Sequence, residues 1–317
     1  MIAAAFLAAA LTFLPQPAPA QTPTLRVGHF SNVTHVQAMV AHALSRQGKG
    51  WFEARTGATI EWYVYNAGPS AMEALFARSI DLTYVGPSPA INAYAKSNGD
   101  EVRIVAGAIE GGTALVVQGD SVLAKPADFR GKKIATPQLG NTQDVAARAW
   151  LVGGGLKITQ TGGDAQVIPT ANPDQLALFK QRYVDAVWTV EPWVTRLVTE
   201  AGGRILVEDR NAVTTVLVAR AEVLAKNRAL VKSFVAAQAE LTDWIVGHPR
   251  EAQELLRAEL AAETRAAVSE ALIAQAWPRI VPAKDVSREV LGASIKSAQA
   301  VGFLRHMPDA GRLIESP

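Results

Sequence analysis

Short apolar strands alternate with helical stretches along most of this chain, and the joints between them share one chemistry. Thr59 to Tyr65 is followed by Asn66-Ala67-Gly68-Pro69-Ser70, Asp81 to Val85 by Gly86-Pro87-Ser88-Pro89, and Lys133 to Thr136 by Leu139-Gly140-Asn141-Thr142-Gln143. In each case a helical pattern comes next. With Leu25–Phe30 and Val102–Ala108 as further strands and 35–44, 71–77 and 90–95 as helices, the first run reads as a parallel sheet wound by helices on both faces. The rhythm restarts after Gly111-Gly112, with strands at Thr113–Gln118, Lys133–Thr136, Ala165–Pro169 and Val184–Trp188. Helices fall at 142–151, 173–180 and 192–200, and Val213–Ala219 is a last strong strand. From Ala221 onward the spacing of Leu230, Phe234, Leu241, Trp244 and Ile245 is helical, and Pro249, Pro278 and Pro282 mark breaks. The expected fold is therefore α/β, in two lobes with a helical C-terminal tail that packs back on one of them. Residues 24–110 plus 220–317 form lobe I, residues 112–213 form lobe II, and chain crossings near Gly111-Gly112 and Thr214-Thr215 join them. Such a joint leaves a cleft between the lobes.

The repeated joints give the cleft its chemistry. Glycine permits a close turn, and Ser, Thr or Asn caps the first helical turn. Each helix start also offers unpaired N–H groups and the positive end of a dipole. Caps of this kind occur in any α/β protein. Three of them at strand carboxyl ends, where open α/β sheets bind ligands, point to a site for a small anion built without Lys or Arg.

Other classes are excluded by what the chain lacks. There is no cysteine, hence no disulfide, thiolate nucleophile or Cys-ligated zinc. With 31 basic against 29 acidic residues and no Lys/Arg run longer than a pair, nothing in the chain forms a footprint for nucleic acid. A 49% hydrophobic fraction rules out disorder. Ile2 to Leu14 is uncharged and apolar, yet shorter than the roughly 20 residues that span a hydrocarbon core. The prolines after it and the small-x-small Ala18-Pro19-Ala20 read as a cleaved export signal over residues 1–20, with the mature chain starting at Gln21 and soluble.

Catalytic motifs fail on inspection. Gly86-Pro87-Ser88-Pro89-Ala90 lacks the final glycine of a nucleophile elbow, and Pro89 at the first helical position makes Ser88 an N-cap. The histidines, His29, His35, His42, His248 and His306, show no metal-binding spacing, so no metal site is expected. His35, at a helix start after the first strand, can reach the cleft. Gly153-Gly154-Gly155 closes a helix instead of opening one, which excludes dinucleotide and Walker loops. In Val184 to Trp193, Glu191 sits at the lip of the sheet, where it either caps its helix or meets a cationic group on a ligand. No second carboxylate is spaced for glycosidase chemistry.

Three stretches carry a family resemblance: Ser79 to Ile91, Phe129 to Thr142, and Asn172-Pro173-Asp174-Gln175-Leu176 through Val184-Asp185-Ala186-Val187-Trp188 to Glu191-Pro192-Trp193. Through them the chain resembles the sulfonate/nitrate/taurine class of periplasmic substrate-binding proteins that feed ABC importers, over nearly all of the mature length. The resemblance implies a type II periplasmic-binding fold that clamps a small anionic or zwitterionic solute by hinge closure, an aliphatic sulfonate or taurine first. It implies no catalysis and no cofactor, and as partners an inner-membrane permease and its ATPase, with the chain itself a monomer in the periplasm. The family's ligand positions carry over to Asn32, Thr34 and His35, to Gly68, Ser70 and Ser88, to Asn141, Thr142 and Gln143, and to Glu191. Nitrate or bicarbonate binding is an alternative. Another is a pyrimidine (thiamine-precursor) binding protein, or a synthesis enzyme on the same fold. That enzyme would want a buried histidine and lysine and a cytosolic address, which the export signal and the lysine-free loops oppose.

Overall fold

The computed structural model describes residues 22–317, so the expected signal segment lies outside the described residues. Two mixed sheets organise the chain. The first holds β1 (Thr24–His29), β2 (Thr59–Val64), β3 (Leu82–Val85), β4 (Val102–Gly111), β12 (Val213–Arg220) and β13 (Ile280–Pro282), in the order β13-β4-β12-β3-β1-β2. The second runs β11-β5-β10-β6-β9, from β5 (Thr113–Gln118), β6 (Lys133–Thr136), β9 (Gln166–Pro169), β10 (Ala186–Val190) and β11 (Gly203–Glu208). A two-stranded hairpin, β7 (Ile158–Thr159) with β8 (Gly162–Gly163), stands apart.

The all-parallel expectation holds only where a helix makes the crossover. β1 is parallel to β2 and β3, and β6 to β9 and β10. β12 enters straight from the other sheet and lies antiparallel between β3 and β4, while β5, leaving β4 directly, lies antiparallel to β10. A strand with no crossover helix carries no constraint to run parallel. The chain passes between sheets at Gly111-Gly112 and at residues 209–212, just before Thr214. Both glycines have positive φ, +69° and +68°. A Cβ on Gly111 would stand 2.5 Å from the Arg279 carbonyl oxygen, so the crossing demands glycine.

The helices are α1 (Val36–Arg46), α2 (Trp51–Thr56), α3 (Gly68–Phe76), α4 (Pro87–Lys96), α5 (Thr142–Gly153), α6 (Asn172–Lys180), α7 (Trp193–Ala201), α8 (Ala221–Lys226), α9 (Arg228–Gly247), α10 (Pro249–Thr264), α11 (Glu270–Ala276) and α12 (Arg288–Ala300). None of the described ones is long and apolar enough to cross a membrane. One face of the first sheet packs on α1, α2, α9 and α10, where Phe52 stacks on Phe234 at 3.9 Å. Burying each such ring stabilises the fold by about 1.5–3 kcal/mol. Its other face meets α3, α4 and α12 through Leu75, Ile91, Leu291 and Ile295. The tail thus splits over both faces, and α12 also touches α5 beside the second sheet. Nor is the tail all helix. Ile280–Pro282 pairs with the edge of β4 as β13, a strand too short to show a period, with Pro282 tolerated because it sits at a sheet edge.

Candidate functional site

Between the carboxyl ends of the two sheets lies a cavity of about 30 Å³, room for about two water molecules. Phe30, Asn32, Thr34 and His35 reach it from the segment after β1. Asn66, Ala67 and Gly68 come from the start of α3, Gly86 and Pro89 from that of α4, and Asn141, Thr142 and Gln143 from that of α5. Pro137, Asn172, Val190 and Thr214 complete the wall. Of the residues expected at the site, seven meet here. Ser70, Ser88 and Glu191 stand behind the wall.

Four helix starts converge on this space, those of α3, α4, α5 and α6. The fourth, at Asn172, has no glycine in its joint, and the sequence marked it as a helix start without placing it at the site. Capping differs from the expected pattern. Asn141 Oδ1 does accept the Asp144 N–H at 2.8 Å. The N-cap of α4, however, is Gly86, which places Ser88 one residue inside the helix, and neither α3 nor α4 is capped by a side chain. Their first-turn N–H groups therefore have no intrahelical or capping acceptor. Proline thins these donors. Pro87 and Pro89 leave Ser88 as the one N–H in the first three positions of α4, and Pro69 and Pro173 each remove one from α3 and α6.

Among the described residues, the wall contains no Lys, Arg, Asp or Glu. His35 is fully buried and stacks on Phe30 at 4.3 Å. Burial holds its pKa well below the usual histidine value, so the ring is neutral. Its Nδ1 accepts the Phe30 N–H at 3.3 Å, which places the ring proton on Nε2 as a donor. Glu191 is engaged elsewhere. Its carboxylate accepts the Thr195 N–H at 3.1 Å and the Thr195 hydroxyl at 2.9 Å, and faces Arg279 Nε at 3.1 Å as an ion pair whose N–H is not aligned for a hydrogen bond. Burial outweighs these partners and pushes its pKa up to about 7.

Direct contacts cross the cleft. The Ser88 N–H donates to Thr142 Oγ1 at 3.3 Å, the Ser70 hydroxyl to Gln138 Oε1 at 3.3 Å, and the Trp193 indole to Asn32 Oδ1 at 3.1 Å. A Cβ on Gly86 would meet Thr142 Oγ1 at 2.2 Å, so only glycine lets the two helix starts come this close.

Behind the α5 start lies a network that sequence reasoning missed. Asp144, fully buried, accepts from the Thr136 hydroxyl at 3.0 Å, the Gly140 N–H at 2.9 Å, and Arg148 Nε and Nη2 at 3.0 and 3.1 Å. Arg148 also donates to the carbonyls of Val167 and Thr159. The signal available was an acid in the first helical turn with a base four residues on. Histidine spacing showed no ligand set, and the fold draws His29, His42 and Glu263 together from three separate elements.

Residues 18–261 match the family model described as the NMT1-like family. The chain is 25% identical over 212 residues to the taurine-binding periplasmic protein of Escherichia coli, covering 64% of this chain and 62% of that protein. Among solved structures, the alkanesulfonate-binding protein of Xanthomonas axonopodis pv. citri bound to MOPS superposes with a TM-score of 0.74 at 20% identity, over 93% of this chain and 98% of that one. The periplasmic nitrate-binding protein of Synechocystis gives 0.72 at 16% identity, over 91% and 84%. These likenesses, with two mixed sheets facing one cleft, establish the periplasmic-binding-protein fold. By its sequence, the chain belongs to the NMT1-like family.

Proposed function

We propose that this chain is the periplasmic solute-binding component of an ABC importer, and that it takes a small sulfonate lacking an amino group. The observation that carries the reading is a cavity faced by four helix starts and lined by no charged side chain. Each helix start presents roughly half a positive charge together with free N–H donors. The His35 Nε2–H and the Thr142 hydroxyl add donors with no net charge. A sulfonate accepts hydrogen bonds only, at every physiological pH, so nothing in this donor set is wasted or repelled. Each hydrogen bond to the anion is worth about 1.5–3 kcal/mol. Taurine fits less well, because no carboxylate lines the wall to meet its ammonium and Glu191 is bound to Thr195 and Arg279.

In this reading residues 24–110 plus 220–317 move as one lobe and 112–213 as the other, hinged at the two crossings. A cavity of about 30 Å³ is too small for a sulfonate, so the solute enters by parting the cleft and takes the Ser88 N–H from Thr142. Closure over the solute then presents one face to the inner-membrane permease and its ATPase. The test is thermal stabilisation of mature protein by ethanesulfonate, taurine, nitrate and bicarbonate. Ethanesulfonate should raise Tm most, since saturation at about 100 Kd adds roughly 2.7 kcal/mol. A larger rise with taurine, or no rise with any of the four, would overturn the reading.

A further inference from the structure

His29 ends β1 with its side chain fully buried, and neither ring nitrogen has a hydrogen-bond partner among the described residues. Its Nε2 stands 3.1 Å from Glu263 Oε1, without hydrogen-bond alignment. His42 Nδ1, from α1, lies 3.1 Å from the same oxygen, and one donor atom from each of the three residues falls within 4.8 Å of the others. Two ligand atoms held about 2.0–2.1 Å from a tetrahedral zinc ion are about 3.3 Å apart, close to both of these separations. A buried imidazole with both nitrogens unpartnered is costly unless something else takes a lone pair.

The surroundings favour a cation. Glu259 Oε1 is 2.8 Å from His42 Nδ1, and Arg46 binds that carboxylate at 2.9 and 3.0 Å. Glu259 and Glu263 place two carboxylates beside one guanidinium, that of Arg46. The shell beyond is built as well. The Ser31 hydroxyl donates to Glu263 Oε2, and Trp62 stacks on His42 at 5.4 Å and meets His29 edge-on at 5.5 Å. Ser31 also lies on the wall of a 550 Å³ groove with Leu260 and Thr264, which offers a way in.

We propose that His29 Nε2, His42 Nδ1 and the Glu263 carboxylate bind a divalent transition cation, Zn²⁺ the best match, which pins α10 to the end of β1. Two imidazoles and a carboxylate suit Zn²⁺ and leave a fourth position for water or Glu259. The site is separate from the solute cavity, and its test reads metal alone.

Mature protein stripped with chelator is titrated with zinc sulfate, and the metal retained after gel filtration is measured. A parallel sample takes Co²⁺ for its visible spectrum. One equivalent of zinc and the intense bands of tetrahedral cobalt are expected. His42→Gln and Glu263→Gln should weaken zinc binding by more than about 100-fold, and Ser31→Ala by about 10-fold. Circular dichroism checks that each variant is folded, and if Glu263→Gln does not fold, the folded His42→Gln decides. Substoichiometric zinc in the wild type would overturn the proposal and leave a hydrogen-bonded His–Glu cluster. Zinc binding undiminished in the folded variant would overturn it equally.

Discussion

Thr142 faces the cavity and also accepts the Ser88 N–H across the cleft. If it donates to a bound sulfonate, Thr142→Ala should weaken binding by on the order of tenfold to a hundredfold in calorimetric titration. Ser88→Ala should change affinity only a few-fold, because what Ser88 offers is its backbone N–H and its side chain is off the wall. Equal losses in both variants would place the ligand elsewhere. Glu191 gives a test by pH. Its folded pKa near 7 lies above the usual 4.5, so the folded state holds the proton more tightly across that window. The stability contributed by this group is full below about pH 4.5 and is lost as pH rises through about 7. Glu191→Gln should flatten that fall, read as Tm between pH 4.5 and 8, and an unchanged slope would contradict the assignment. At this scale the sequence showed which polar residues stand at the joints. It left two roles open for Glu191, because the choice depends on Arg279, almost ninety residues away and reached only through the fold.

The start of α5 is the most strongly built element at the site. Asn141 caps it, and Asp144 ties the Gly140 N–H to Thr136 and Arg148. Asp144→Ala leaves the buried Arg148 without its counter-charge, which costs about 3–5 kcal/mol. Urea unfolding should show an unfolding free energy lowered by that amount, and a loss below about 1 kcal/mol would mean the pair is not what holds the loop. Elements with strong periodicity were legible, including β1, β2, β4, β5, β12 and α9. The short ones were not. α2 spans six residues, β13 three, and β11 carries arginine and glutamate among its apolar positions. The site at α6 was missed for a related reason, since its joint lacks the glycine that drew attention to the other three.

At the scale of the molecule, the alternation of strands and helices gave the two-sheet plan. Strand direction at the crossings lay beyond it, since direction depends on which sheet a strand arrives from. Hinge closure predicts a smaller radius of gyration by small-angle scattering when a solute-free open form takes up ethanesulfonate. An unchanged radius at saturation would count against hinged lobes. α12, which touches both α4 and α5, would have to yield or slide in that motion. The central claim is that a sulfonate is held by helix-start N–H groups with no charged side chain. It is tested most directly by titrating ¹⁵N-labelled protein spanning residues 21–317 with ethanesulfonate and following its backbone amides by NMR. The amide protons of Gly68, Ser88, Thr142 and Gln143 should shift downfield together as the site fills. Saturable binding that leaves these four in place and moves amides elsewhere would contradict the account.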